Sequence, residues 1–128
     1  MKAGLTVGTN REEHFTVTKQ FSVQIGKVSV LSTPSLVELM ERTSRLILDQ
    51  FLTGDEASVG ASIEVRHLAP TPTGAEVKVT SRVTAISGRR VDFSISAYDA
   101  LEKIGEGSHQ RVVVDLSQFQ KRANEKHR

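Results

Sequence analysis

The sequence predicts an α+β fold in which one long amphipathic helix packs against one face of a curled antiparallel sheet. Three observations predict this fold. One long segment, residues 33–52, repeats apolar residues with the helical period. Most of the chain after Gly54 alternates apolar with polar residues, as half-buried strands do. The length of 128 residues suits one domain, so we assign residues 1–128 to a single unit.

The segment before the helix predicts short strands. Residues 15–18 and 21–24 alternate apolar with polar side chains, which indicates one bent strand or two short ones. Gly26 and Lys27 interrupt the alternation, and residues 28–31 lead into the helix. Residues 1–11 keep no period, so we predict no element there.

The helix has a start signal, an apolar face and a stop signal. Thr33 is a favourable N-cap and Pro34 suits the first helical position, although Ser35 with Glu38 offers an alternative capping box. Gly54 is the predicted left-handed C-terminal cap. The predicted apolar face consists of Leu36, Met40, Thr43, Ile47 and Phe51.

The rest of the chain predicts four long, meandering strands and a short closing helix. In the first strand, strict alternation places His67 on the inner face and Gly60 on the outer face. Residues 70–74 form a turn, and strands follow at residues 75–83, 91–97 and 107–116. This order of elements is that of the hot-dog fold, a curled antiparallel sheet wrapped around one central helix. The inner face of the first strand carries Val59, Ala61, Ile63, Val65 and His67.

Composition excludes several classes of function. The chain has no cysteine, which excludes disulfides, thiolate catalysis and cysteine-based zinc sites. A net charge of +2, no Trp and one Tyr argue against a nucleic-acid partner. No apolar run approaches the ~20 residues of a membrane span and no signal peptide opens the chain, so we expect a cytoplasmic protein without a membrane partner.

Three side chains are candidates for chemistry, each with a structural alternative. His67 shares a face with the core residues of its strand, so it is either a general base or a histidine satisfied by a backbone carbonyl. Glu41 lies at the helix boundary beside apolar neighbours, so it is either a reactive carboxylate or an exposed partner of Arg45. Thr33 caps the helix, and the same helix end can stabilise an oxyanion.

Other motifs carry little information. No HxH or HExxH pattern supports a metal site, and no GxSxG elbow or phosphate-binding loop is present. His14, His109 and His127 are weaker candidates, and His109 lies next to Arg111 in the last strand. Gly105 and Gly107 form only a GxG within a strand pattern, which does not predict a site.

Several segments nevertheless resemble the fluoroacetyl-CoA thioesterase family of hot-dog acyl-CoA thioesterases. Residues 31–41, LSTPSLVELME, resemble its helix-opening motif, in which a threonine precedes a catalytic glutamate by eight positions. Residues 58–74, SVGASIEVRHLAPTPTG, resemble its strand with the catalytic histidine, and residues 104–111, IGEGSHQR, also match. The resemblance runs from residue 2 to about residue 121.

The resemblance implies hydrolysis of an acyl-CoA thioester with a short or small acyl group. It implies a catalytic triad of Thr33, Glu41 and His67, and no cofactor apart from the coenzyme A of the substrate. One segment departs from the family, because Lys27 stands where an aromatic lid residue falls. We therefore expect modest selectivity for fluoroacetyl-CoA. The implied substrate-binding residues are Gly60, Pro34, His109 and Arg111.

Two other functions fit the same fold. One is a non-catalytic acyl-CoA-binding protein, in which Glu41 and His67 are only buried polar residues. The other is an enoyl-thioester hydratase or dehydratase, which normally requires a different Asp/His motif that we do not find. In every case one helix cannot cover the long sheet, which predicts a homodimer or a higher assembly.

Overall fold

The structure, a computed structural model, describes residues 1–127. Arg128, the last residue of the predicted domain, lies outside the described residues. A short 3₁₀ turn, Lys19–Phe21, separates the first two strands. The elements are β1 Asn10–Thr16, β2 Ser22–Ile25, β3 Val28–Leu31, α1 Thr33–Asp49, β4 Glu56–His67, β5 Glu76–Ser87, β6 Arg90–Tyr98, β7 Lys103–Asp115 and α2 Leu116–Asn124.

Five strands form one antiparallel sheet in the order β1-β5-β6-β7-β4, and β2 and β3 form a separate hairpin. The predicted α+β hot-dog arrangement is confirmed. The predicted meander is right for β5 to β7 and wrong for β4, which pairs with β7. The connection after β4 cannot turn back directly, because it is hydrogen-bonded to the hairpin: Leu31 N–H donates to the Thr71 carbonyl at 2.8 Å. One edge of β4 is therefore unpaired among residues 1–127.

The core lies between α1 and the concave face of this sheet. The apolar face of α1 is buried as predicted, except that Phe51 lies beyond the helix end. A polar contact crosses the core, where the hydroxyls of Ser44 and Ser81 lie 2.7 Å apart. The helix contributes Leu36, Leu39, Met40, Thr43, Ser44, Ile47 and Leu48, and the sheet contributes Val77, Val79, Val83, Val91, Phe93, Ile95 and Ala97.

Both predicted ends of α1 need correction. Ser32 is the N-cap, since its hydroxyl accepts the N–H of Ser35 at 3.2 Å, and Thr33 is already helical. The hydroxyl of Thr33 is therefore free for another partner. At the other end the helix stops at Asp49, and Gly54 lies further on, in the turn before β4, with a φ of 51°. Gly54 is thus a turn residue rather than the helix cap.

A β-bulge in β4 corrects the predicted faces of that strand. Its register against β7 shifts between Gly60 and Ser62, so Ala61 is an extra residue. Strict alternation placed Gly60 outside. Because of the bulge, Gly60 faces the helix on the same side as Ile63 and His67. Within residues 1–127, neither helix combines the length and the apolar character that crossing a membrane requires.

Candidate active site

The first part of the candidate site is a contact between Thr33 and His67. The N-terminus of α1 meets the end of β4, and Thr33 Oγ1 lies 2.8 Å from His67 Nδ1. The other ring nitrogen, Nε2, is buried and has no hydrogen-bond partner among the described residues. Buried polar atoms are almost always paired in folded proteins. Nε2 is therefore available to a substrate or to a second subunit.

The environment of His67 favours its neutral form. Burial lowers the pKa of His67 below its usual value, and the backbone of Ala69 offsets part of this shift. The ring is then neutral at pH 7 and can take up a proton. Thr33 fixes the orientation of the ring, as a partner on the second nitrogen commonly does for a catalytic histidine.

The second part of the site surrounds Glu41 on α1. Gly60 of β4 faces this half-buried carboxylate so closely that a Cβ at position 60 would lie 3.0 Å from Glu41 Oε2. The same Cβ would lie 3.5 Å from the His109 ring and 3.7 Å from Arg111 Nη1. Gly60 therefore leaves a narrow space beside Glu41, and any side chain at position 60 would fill it.

His109 and Arg111 form a buried polar chain beneath Glu41. Arg111 is 4% exposed and donates through Nε and Nη2 to the hydroxyl and carbonyl of Ser58, both at 3.0 Å. Its Nη1 lies 3.3 Å from His109 Nε2. On the other side of the ring, His109 Nδ1–H donates to the carbonyl of Ser62 at 2.8 Å. This assigns the proton of the neutral imidazole to Nδ1, because Nε2 faces a donor.

Charge in this cluster is balanced between Arg111 and Glu41. Burial lowers the pKa of His109, and the positive charge of Arg111 adds to that shift, which keeps the ring neutral. Burial also lowers the pKa of Arg111, while the negative charge of Glu41 opposes the shift. Among the described residues no carboxylate lies within salt-bridge distance of Arg111. Glu41 and Arg111 thus both lie beside Gly60 without forming a salt bridge.

The structure brings the predicted residues together in two groups rather than one. Thr33 contacts His67, with exposed Pro34 beside them, whereas Glu41 lies with Gly60, His109 and Arg111. Thr33 and Glu41 are eight residues apart on one helix, a rise of about 12 Å. Sequence reasoning missed Ser58 and Ser62, because their role depends on a cross-strand register that no local pattern predicts. Within residues 1–127, no three His, Cys, Asp or Glu side chains are grouped to hold a metal ion.

Comparisons with known proteins identify similar sequences. Residues 12–117 match the family model of the fluoroacetyl-CoA-specific thioesterase. The chain is 36% identical over 97 residues to the fluoroacetyl-CoA thioesterase of Streptantibioticus cattleyicolor, covering 76% of this chain and 70% of that protein.

Solved structures are similar over nearly the whole chain. A structure of the fluoroacetyl-CoA thioesterase FlK superimposes with a TM-score of 0.91 at 30% identity, covering 98% of this chain and 99% of that one. A hot-dog-like protein from Thermanaerovibrio acidaminovorans gives a TM-score of 0.89 at 31% identity, covering 95% and 93%. A hypothetical thioesterase-superfamily protein from Thermus thermophilus gives 0.87 at 27% identity, covering 97% and 96%.

Proposed function

The chain belongs to the family of fluoroacetyl-CoA-specific thioesterases and is an acyl-CoA thioesterase, and we propose that it hydrolyses a short or small acyl thioester through Glu41, His67 and Thr33. The observation that carries this proposal is the contact between Thr33 and His67, with no partner for the second ring nitrogen in residues 1–127. Such a ring can bind a proton donor or acceptor from outside these residues. A thioester undergoing hydrolysis supplies one.

The chemistry divides between the two groups of residues. Glu41 attacks the thioester carbonyl, or activates the water that does so. His67 removes a proton from the hydrolytic water and then delivers it to the departing thiolate of coenzyme A. Thr33 orients the ring. The balanced reaction takes one thioester and one water to a carboxylic acid and free coenzyme A.

Two copies of the chain are needed to join the groups. The unpaired edge of β4 invites pairing with the same strand of a second copy. In a two-fold antiparallel pairing centred on Glu64, Ile63 of one subunit stands opposite Val65 of the other. Because Ala61 is an extra residue, Gly60 then stands opposite residue 67 of the other subunit, on the same face. Glu41 of one subunit then lies near the Thr33–His67 pair of its neighbour. This arrangement supports a homodimer with a continuous sheet and two shared sites.

A mixed-dimer experiment tests this arrangement. We expect Glu41→Gln and His67→Ala homodimers to be nearly inactive, and a refolded equimolar mixture to regain about a quarter of wild-type activity. Half of the mixed population is heterodimeric, and each heterodimer holds one intact site. Light scattering at micromolar concentration checks that dimers form. A mixture as inactive as its parents would place each site within one chain, and a monomer would exclude shared sites.

The activity itself is tested with a panel of short acyl-CoAs and a thiol reagent. We expect thiol release that depends on His67. A folded protein that binds these compounds without releasing thiol would be a non-catalytic binder. Hydration of crotonyl-CoA without thiol release would instead identify a hydratase.

The pH dependence follows from the environment of His67. Since burial lowers the pKa of this ring, the neutral form that accepts a proton persists below the usual histidine range. We expect kcat/KM to stay constant above neutrality and to fall only as the pH drops through an apparent pKa below 6.5. A pH–rate profile from pH 4.5 to 8 measures this. An acid limb at or above pH 7 would contradict the role of neutral His67.

A further inference from the structure

The β2–β3 hairpin has one face made only of aliphatic side chains. Its register pairs Val23 with Val30 and Ile25 with Val28, which places all four on one side. Ile25 and Val28 are 59% and 58% exposed, and none of the four belongs to the hydrophobic core. This face therefore does not pack against the hydrophobic core.

The other face of the hairpin anchors it beside β4. The hydroxyl of Thr73, in the turn after β4, lies 2.7 Å from the hydroxyl of Ser22 and 2.8 Å from that of Ser29. Thr73 N–H also donates to the Ser29 carbonyl at 2.9 Å. These bonds hold the aliphatic face at a fixed position relative to the end of β4, where His67 lies.

A groove runs between this face and the Thr33–His67 pair. Its volume is about 340 Å³, and it is shallow and open to solvent. Within the described part of the chain, no charged side chain and no Phe or Tyr lines this groove, and it contains Thr33 and His67. Its aliphatic lining comprises Val23, Ile25, Val30, Leu68, Ala69 and Pro70.

We propose that this groove binds the acyl chain of the substrate, and that the chain is an unbranched aliphatic group of about four to eight carbons. The proposal rests on the thioesterase function proposed above. A thioester carbonyl at the Thr33–His67 pair directs its alkyl chain along the hairpin. Val23 and Ile25 are two strand residues apart, about 7 Å, which matches roughly five or six bonds of an extended chain.

The acyl chain fits this groove better than other occupants. Without a charged lining, the groove offers no partner to the pyrophosphate or nucleotide of coenzyme A. Its continuity with the candidate catalytic pair also distinguishes it from a surface that only joins two copies of the chain. The aliphatic hairpin thus replaces the aromatic lid residue expected from the resemblance and leaves room for a longer acyl group.

A chain-length series tests the proposal. With the wild-type dimer, we expect kcat/KM to rise two- to fourfold for each methylene from acetyl-CoA to hexanoyl-CoA, because each buried methylene is worth at most about fourfold. A plateau should follow near octanoyl-CoA, where the chain outgrows the hairpin.

Substitutions in the hairpin separate the groove from the rest of the site. Ile25→Asn and Val23→Asn should each lower the ratio of hexanoyl-CoA to acetyl-CoA activity by about tenfold, and Ile25→Leu should preserve it. Both residues lie outside the core, so the variants should fold. Leu101→Asn is the matched control, since Leu101 is 90% exposed on the turn between β6 and β7. It should leave the ratio unchanged.

Each negative result of these experiments leads to a different conclusion. If acetyl-CoA is hydrolysed as well as hexanoyl-CoA, or if the Asn variants keep the wild-type ratio, the groove does not bind the acyl chain although the enzyme is a thioesterase. If no acyl-CoA of any length releases thiol from the folded dimer, the proposed function fails first. If the Asn variants reduce the mass of an assembly larger than a dimer without changing the ratio, the face joins two copies instead.

Discussion

Glu41→Gln should lower kcat by about 10²-fold or more while leaving the fold intact. The amide nearly preserves the volume beside Gly60, but it can neither attack a thioester nor accept a proton. Steady-state thiol release and thermal unfolding measure the two effects. Glu38→Gln is the matched control, since Glu38 is exposed on the same helix and bonds only to Arg42 among the described residues. Unchanged turnover in a folded Glu41→Gln enzyme would remove Glu41 from the mechanism.

A double variant tests whether Glu41 and His67 act in the same step. His67→Ala should also lower kcat by about 10²-fold or more. The double variant should lose little beyond the worse single variant, because groups that act in one step are not additive. If His67 were only a buried histidine, its removal would chiefly reduce the free energy of unfolding. Losses in kcat that multiply in the double variant would mean that the two residues act independently.

Gly107→Ala should reduce the free energy of unfolding by about 3 kcal/mol and the Tm by roughly 10 °C. An added Cβ would overlap the Glu64 carbonyl oxygen and would lie 3.2 Å from Val65 Cγ2, both on the adjacent strand β4. Backbone cannot rotate away as a side-chain end does, so β4 and β7 would have to separate. Thermal unfolding at one fixed protein concentration measures the change, because dimer stability depends on concentration.

Gly105→Ala supplies the comparison for this variant. Its Cβ would meet Leu36 Cδ2 at 2.8 Å and Met40 Cε at 3.2 Å, which are flexible side-chain ends. The cost should be about 1 kcal/mol. Equal losses at the two glycines, or a wild-type Tm for Gly107→Ala, would contradict the close approach of the strands.

The surroundings of three glycines could not be predicted from the sequence, because they depend on the register of the strands. The GxG of residues 105–107 predicts no site. In the structure, the missing side chain of Gly105 makes room for α1, and that of Gly107 makes room for β4. Gly60 looked like an outward-facing residue until the bulge at Ala61 turned it toward Glu41. A bulge adds one residue without changing the local composition, so a period of two cannot reveal it.

Local sequence patterns predict the α+β class, the buried face of α1, the periods of the long strands and the types of the candidate residues. These features depend on neighbours within one or two turns of chain, which a local pattern records. Three other features appear only in the folded protein: β4 pairs with β7, Ser32 rather than Thr33 caps α1, and Glu41 is separated from the Thr33–His67 pair. These features depend on contacts between residues far apart in the chain, whose register no local period specifies.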